Sequence, residues 1–571
     1  FFDKDICMLT LTRSVRTCLA IGLAQGLLLW LASYLTEPGI RFALSTAALV
    51  GGINLLLLGP SVRERGTAWL VLGLTVVMSA ISAWVYWEGG DSSRPSNWLT
   101  GTWVCFAVVV TYIVTAFILS WPSREGRFPR YEDLFRHAWD TVFIVLLGLL
   151  LNGVFWALLL LWGSLFKMLG IVALNQLFST TGFICVSSMM VLALGLQMGR
   201  DNDRVIGLLR GILLTLCRFL LPLSSLIAIV FTFALPFTGL QPIWATGYST
   251  PIMLCLVAAN LFLLNGVFQV GEQSSGYPRW LLGIVDLCLL CLPVLVVLAG
   301  YSSWLRIEQY GLTPSRILAM LLVAVMLAHT LAAAWAVVVP QRQWLWSLRI
   351  SNPLIALISV VLLLAIHTPW FSPLQISATN QVKRVLEAKS PVETFDADTL
   401  RYRLGPPGKQ AFEALLEQVE QGRVLAEPAR QVLLKRLKDA QAGKAERESD
   451  GRLLEWVGPA VEGSEQFNDA KIGGQGCLYP GCAMWAVDLD QDGQDEVLQL
   501  PKYKWSDALY FFKRDTQGKW QRTGAYEGVD NPLEMIEQIR EGKVKVVKPR
   551  YQSLQTGDQE LNPKLDTTPQ P

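Results

Sequence analysis

The chain has 571 residues, 52% of them hydrophobic and only 16% charged, with a mean hydropathy of +0.38. That charged share is about two-thirds of the share usual in a soluble chain, which points to a lipid-solvated body. The formal net charge is +2, and the Lys and Arg residues are dispersed over loops instead of gathered on one face, so a nucleic-acid partner has no support.

Long apolar blocks recur from Thr17 to Trp370, whereas everything after Phe371 has ordinary soluble composition, so two domains follow. Crossing a hydrocarbon core of ~30 Å takes about twenty apolar residues as a helix. Eleven blocks qualify, at 17–35, 42–59, 67–87, 99–121, 139–163, 181–199, 211–236, 251–270, 280–301, 316–339 and 352–370. The first block lacks a small-residue cleavage site before a soluble region and is expected to stay as an anchor. The second is short and contains Gly51 and Gly52, and the stretch from Ser164 to Thr180 reads as a re-entrant or interfacial helix.

Basic residues resist translocation, so loop charges set orientation. With the N-terminus inside, fifteen Lys and Arg residues fall on the cytoplasmic side, among them Arg13, Arg63, Arg130, Arg210 and Arg349, against five opposite: Arg41, Arg94, Lys167, Arg306 and Arg316. An odd number of spans then places the C-terminal domain outside. Trp84, Trp87, Trp98, Trp121, Trp346 and Trp370 sit at predicted boundaries, as in an aromatic belt.

Ionisable residues within spans are costly and are functional candidates by default. Arg218 in the seventh span and Asp286 in the ninth start from the same side and have matching depths, so an ion pair between them is geometrically allowed; His329 in the tenth lies nearer the midplane. A proton or ion pathway through these groups is one reading, and structural pairing with a snorkelling arginine is the other. Asn152, Asn260 and Asn265 are expected to join helices by hydrogen bonds of about 1 kcal/mol each.

Beyond Trp370 the pattern turns helical, then strand-like. Ala411, Phe412, Leu415, Leu416 and Val419 make one helix face ending at Gly422, and Val432, Leu433 and Leu437 mark a second helix after Pro428. Strands are expected at Ala483–Val487, Val497–Leu500, Leu509–Lys513 and Lys543–Val547, with a turn at Asp515–Gly518 and a helix from Pro532 to Arg540. The fold class is thus a membrane all-α polytopic bundle of about eleven transmembrane helices followed by a small α+β extracytoplasmic domain. Its divisions are 1–370 transmembrane, 371–449 helical, 450–551 α+β, and 552–571, a polar, Pro-containing tail expected to be disordered.

The densest local chemistry is Asp488-Leu-Asp490-Gln-Asp492-Gly493-Gln494-Asp495-Glu496, between two apolar strands. Asp488, Asp490, Asp492 and Glu496 at positions 1, 3, 5 and 9, with Gly493 for the sharp turn, can wrap one hard cation, and the carbonyl of Gln494 supplies a fifth ligand. Calcium is the natural candidate. Position 12 is Gln499, not the bidentate Glu of an EF-hand, so the pattern looks like the strand–loop–strand calcium loops of integrin-type repeats. The alternative is a solvated Asp-Gly hairpin turn. Of the ten cysteines, only Cys477 and Cys482 lie in this domain, separated by Leu-Tyr-Pro-Gly. A turn of that length brings two thiols together and an oxidising compartment keeps them paired; a metal pair is the rival, without nearby histidines.

Several phrases resemble a known family. Tyr131–Trp139 (YEDLFRHAW), Trp156–Ile171 (WALLLLWGSLFKMLGI), Leu235–Leu240 (LPFTGL), Arg306–Arg316 (RIEQYGLTPSR) and the pattern around Asp488–Glu496 resemble the uncharacterised bacterial membrane proteins grouped as domain of unknown function 4153. The resemblance implies a bacterial inner-membrane protein and carries no activity over to any residue. The phrases also have plain physical readings. Thr313 caps the tenth span ahead of Pro314, and Tyr131–Trp139 is an amphipathic lead into the fifth, with Leu134, Phe135 and Ala138 inward.

No phosphate-cradling Gly-Lys-Ser/Thr loop, HExxH or GxSxG occurs. The expected partners are the lipid bilayer and an envelope protein or lipid ligand, and the leading functional reading is a non-enzymatic envelope protein whose outside domain senses or binds. The alternatives are a secondary transporter using Arg218 and Asp286 and, last, an enzyme acting on lipid-linked substrates.

Overall fold

The structure is a computed structural model of the whole chain. It describes residues 13–59, 65–89, 97–121, 128–246, 248–271, 276–339, 343–441, 454–468, 481–502, 508–515, 518–527, 531–547, 554–556 and 559–561. Contacts divide it into two compact units, Phe1–Leu434 and Lys435–Pro571.

Among its described residues the first unit is helical, without strands. Its elements are α1 (Arg13–Ser33), α2 (Pro38–Leu58), α3 (Arg65–Gly89), α4 (Asn97–Leu119), α5 (Tyr131–Met168), α6 (Ala173–Phe178), α7 (Thr181–Asp201), α8 (Asp203–Thr238), α9 (Gln241–Ala245), α10 (Ser249–Phe268), α11 (Arg279–Tyr310), α12 (Pro314–Val338) and α13 (Leu348–Ala365). Eleven of these, all but the short α6 and α9, are long and apolar enough to cross a membrane, and each expected block falls on one of them. Helices answer the chemistry of hydrocarbon, where every backbone N–H and C=O must find its partner within the segment. Large apolar side chains such as Leu150, Phe219, Val230 and Val361 are exposed on the outer surface, as lipid-solvated helices require.

Glycines decide how closely the helices approach. A Cβ at Gly26 of α1 would lie 2.5 Å from the Cα of Val186 in α7, and one at Gly22 would lie 2.8 Å from the Met189 carbonyl oxygen. On the other side of α7, a Cβ at Gly195 would lie 2.6 Å from the Cα of Gly148 in α5. Small residues spaced by a helical turn permit this backbone contact, which drives association where the hydrophobic effect is absent. The glycines of the short second span serve the same end: Gly52 leaves room for the Gln25 side chain, whose Nε2 donates to Ala48 O at 3.0 Å. A second core gathers Leu221 and Ala228 of α8, Val257 and Leu264 of α10, and Val285, Leu289 and Leu292 of α11.

Two local expectations change. Ser164–Met168 continues α5, and only Ala173–Phe178 forms a separate short helix before α7. Thr313 occupies the N-cap position ahead of Pro314, but its hydroxyl meets Ser315 Oγ at 3.2 Å instead of capping a backbone N–H.

Helices α14 (Pro373–Leu386) and α15 (Gly405–Glu420) belong to this unit as well. The α11–α12 turn is held by α14: Leu312 N donates to Asn380 Oδ1 at 2.9 Å, Ser377 Oγ and Gln381 Nε2 donate to Leu312 O, and an Arg384 Nη donates to Glu308 O at 2.9 Å. At α14's N-cap, Ser372 Oγ donates to the buried Glu88 at the end of α3, at 2.8 Å. The phrase 306–316 is thus a clamped turn. The expected face of α15 is buried through Phe412, Leu415, Leu416 and Val419. Helix α16 (Ala429–Gln441) buries Leu433 and Leu437.

The second unit holds a five-stranded sheet in sequence order: β1 (Leu454–Trp456), β2 (Cys482–Val487), β3 (Glu496–Pro501), β4 (Ala508–Arg514) and β5 (Trp520–Glu527), with α17 (Pro532–Arg540) following. Strand β1 runs parallel to β2 and the others form an antiparallel meander. One face packs Phe467, Met484, Val497, Phe512 and Trp520; the other packs Ala483, Leu498, Leu500 and Leu509 against Ile536 and Ile539 of α17. The first three expected strands and the helix are present. The fourth, Lys543–Val547, is not a strand, because no strand among the described residues completes its backbone bonds; β5, unmarked by clean alternation, forms the hairpin with β4 instead. Within the stretch expected as a disordered tail, β6 (Leu554–Thr556) pairs with β7 (Gln559–Leu561).

The glycine contacts make a direct prediction. Gly26→Leu and Gly195→Leu should each lower the apparent melting temperature of the detergent-solubilised protein, by overpacking of about 1–3 kcal/mol, whereas Gly73→Leu, with no neighbouring atom within 4 Å, should leave it unchanged. A thermal-shift series on the three variants checks this.

Candidate functional site

Within the helical unit, Asp286 and Arg218 are not brought together. Asp286 Oδ1 accepts a hydrogen bond from Trp344 Nε1 at 2.9 Å, in the connection between α12 and α13. The Arg218 guanidinium lies over the Tyr277 ring, 5.9 Å from its centroid, and the Tyr277 hydroxyl donates to the Arg218 carbonyl. Each residue has found a local aromatic partner, and no ion pair joins them. Among the described residues, ion pairs between these helices sit elsewhere: Arg210 of α8 meets Asp140 of α5 at 2.5 Å, and Arg136 of α5 lies 3.8 Å from Asp203 of α8 and, within its own helix, 3.6 Å from Asp140.

His329 faces a half-open cavity of about 490 Å³ lined by α4, α5, α10, α12 and α13, with Leu213 of α8. The lining begins at Tyr131, the first residue of α5, and includes Leu348, the first of α13, and Phe268, the last of α10. The cavity therefore lies at one end of the bundle. Leu134, Phe135 and Ala138 line it, so the inward face expected for the 131–139 phrase is the cavity wall.

The wall is apolar except for a few groups. Tyr112 Oη donates to Ala138 O at 3.0 Å, and Asn352 Nδ2 approaches Tyr131 Oη at 3.4 Å. The His329 imidazole and the Asn265 amide line the same space, and neither has a hydrogen-bond partner among the described residues. Of the three asparagines expected to join helices, Asn260 does so by accepting from Cys288 Sγ at 3.6 Å, whereas Asn265 opens into the cavity and Asn152 keeps a buried, unbonded Oδ1. Sequence reasoning missed Tyr112, Tyr131 and Asn352 as a set. Their common signal is polarity within one or two turns of span ends that a short loop or helical hairpin brings to the same side.

In the sheet unit, the acidic segment forms the β2–β3 connection, closed by the Val487–Glu496 pair. Left-handed backbone at Gln491 (φ 63°) and Gly493 (φ 87°) curls it. Asp488 accepts from the backbone N–H of Asp492 at 3.2 Å and of Gly493 at 3.0 Å, Asp492 accepts from Gln494 N at 2.8 Å, and the buried Glu496 accepts from Leu489 N at 2.8 Å. The curl brings one carboxylate oxygen each of Asp488, Asp490 and Glu496 within 4.8 Å of one another. The second oxygen of Glu496, Oε1, is turned toward the same point. Lys513 of β4 enters the same cluster: its Nζ contacts Asp490, lies 2.7 Å from Asp492 and 3.3 Å from Glu496. Sequence reasoning missed it because its role depends on register: Val497 pairs with Phe512, which sets Lys513 one step on, beside Glu496. Cys482, at the start of β2, is fully buried and accepts from Gln499 Nε2 at 3.5 Å, while Cys477 lies outside the described residues.

Eleven membrane-length apolar helices define a polytopic integral membrane protein that carries a small α+β domain. The chain belongs to the family described as domain of unknown function (DUF4153), whose model matches residues 50–415. The match runs from α2 into α15 and takes in the cavity but not the sheet unit. No curated protein and no solved structure matches the chain.

The Lys513 ammonium holds the Asp492 carboxyl below its ordinary range, and the carboxylates in turn raise Lys513. A lowered carboxyl contributes stability that is present above its unfolded value and lost as pH falls through the folded one. Stability of the sheet unit should therefore hold from neutral pH down to about 4 and fall below it, and Lys513→Met should flatten that fall. Acid titration of both proteins, followed by near-UV circular dichroism, measures the difference.

Proposed function

We propose that the chain is a bacterial inner-membrane protein, N-terminus cytoplasmic, that holds a calcium-stabilised binding or sensing domain in the periplasm and is not itself an enzyme. The observation that carries this reading is the convergence of Asp488, Asp490 and Glu496 on one point, with Glu496 buried and its Oε1 met by the Lys513 ammonium at 3.3 Å. Carboxylates this close repel one another unless a cation sits among them. Asp488, Asp490, Asp492 and Glu496, with the Gln494 carbonyl, are the ligands of that ion, and Lys513 is the counter-charge of the cation-free form.

Orientation rests on the excess of Lys and Arg in the loops assigned to the cytoplasm. The periplasmic assignment also gives a disulfide between Cys477 and Cys482 an oxidising compartment in which to persist. Burial of Cys482 at the head of a central strand suits such a staple, which would tether the segment before β2 to the sheet. The transporter reading draws less support, because Arg218 and Asp286 are each engaged by a tyrosine or tryptophan instead of facing one another.

Calorimetric titration of the full-length protein in detergent tests the reading. Wild type should bind one calcium ion per chain, Asp490→Asn should weaken binding at least tenfold, and Lys513→Met should tighten it by removing the competing ammonium. Absence of calcium-dependent heat in both wild type and Lys513→Met would retire the calcium site and leave Lys513 as a permanent counter-ion. A C-terminal alkaline phosphatase fusion that is inactive, with a cytoplasmic reporter active at the same point, would overturn the orientation.

A further inference from the structure

We infer that the cavity between α4, α5, α10, α12 and α13 is a binding site for one membrane phospholipid. One of its acyl chains lies along the apolar wall and the headgroup sits at the end marked by Tyr131 and Asn352. Its volume of about 490 Å³ is that of a ligand site and not of a packing defect. The lining is apolar over most of its extent, through side chains such as Phe135, Trp139, Phe262 and Leu264.

Polarity is graded along the helix axes. Tyr131, the first residue of α5, marks the cavity's end. One step in, Asn352 is four residues past the start of α13 and Asn265 three residues before the end of α10, so both lie about 5–6 Å along their helices. Farther in, His329 is nine residues before the end of α12, about 13 Å along the axis. Neutral donors at the mouth and apolar wall over most of the remainder mirror what a phospholipid presents: phosphate and ester oxygens, then chain.

The donors are also available. Tyr131 Oη accepts from Asn352, which leaves its own proton for another acceptor, and Asn265 has no partner among the described residues. In hydrocarbon an amide without a partner is costly. Phosphate and ester oxygens are acceptors only, so they fit a mouth built from donors. A sugar or a peptide brings donors of its own and would bury them against apolar wall. The site lies in the helical unit and stands or falls independently of calcium binding in the sheet unit.

The test uses the full-length protein, reconstituted into vesicles of phosphatidylethanolamine and phosphatidylglycerol, re-extracted in mild detergent, washed, and weighed by native mass spectrometry. Wild type should retain one phospholipid per chain through washing that removes the rest. Ala258→Phe and Ala356→Phe, which place a ring in the cavity, should lower that occupancy at least tenfold. Tyr131→Phe combined with Asn265→Leu should lower it several-fold with melting temperature and elution volume unchanged. Wild type that retains nothing, a retained mass that is not a phospholipid, or equal retention by wild type and the ring variants would overturn the assignment. Should the ring variants aggregate, the Tyr131→Phe/Asn265→Leu protein decides alone, and equal retention by it and wild type sinks the site.

Discussion

A polar side chain inside hydrocarbon has no water to fall back on, and the helical unit is arranged around that constraint. Asn54 donates to Val50 O and accepts from Thr115, each at 2.8 Å, and Trp103 Nε1 donates to Ser82 Oγ at the same distance. His367, almost fully buried, uses Nδ1 on Leu363 O at 2.8 Å and Nε2 on Thr102 at 3.3 Å. Asp286 takes a tryptophan N–H and Glu88 a serine hydroxyl. Gln25 leaves one buried oxygen unbonded, and the side chains of Asn152, Asn265 and His329 have no hydrogen-bond partner among the described residues; Asn265 and His329 open into the same cavity.

Packing explains why the cavity lies where it does. Around α7 the glycines of α1 and α5 bring backbones into contact and leave no space. Between α5 and the α10–α12–α13 group no such glycine contact exists; large side chains, including Trp139 against Phe262 at 5.6 Å, set the helices apart. Bulk at the contact widens the interaxial distance, and the gap left beside it is lined by the remaining apolar surface. Close approach on one side and spacing on the other follow from where the sequence puts glycine and where it puts rings.

The sequence was legible wherever one segment suffices to decide the outcome. Span number follows from hydropathy, the α15 face from its 3.6-residue period, and α17 from Pro532 and the apolar positions after it. Outcomes that depend on two distant segments were not legible. Arg218 and Asp286 have matching depths, but depth says nothing of rotation about the helix axis, and each turned to an aromatic neighbour instead. Lys543–Val547 alternates like a strand, and whether it becomes one rests on a free partner edge that sequence does not reveal. Lys513 was invisible as a member of the acidic cluster until β-register placed it there. Thr313 stands at the helix start without capping it, and Tyr131–Trp139 leads into α5 as read, yet the partners that give these phrases consequence, α14 for the adjoining Leu312 and the cavity for Tyr131–Trp139, come from elsewhere in the chain.

The two sites share one logic: donors or carboxylates preassembled by the fold, short of a complementary group. In the β2–β3 loop the shortage is met by Lys513, so that site can be satisfied without a ligand. In the cavity no group among the described residues fills the role for Asn265. A density map of the full-length protein in a lipid nanodisc tests that account most directly. It predicts one elongated density along the cavity wall, with its polar end within hydrogen-bonding distance of Tyr131 and Asn265. A cavity collapsed by side-chain rearrangement, with Asn265 bonded to a neighbouring helix, would contradict it.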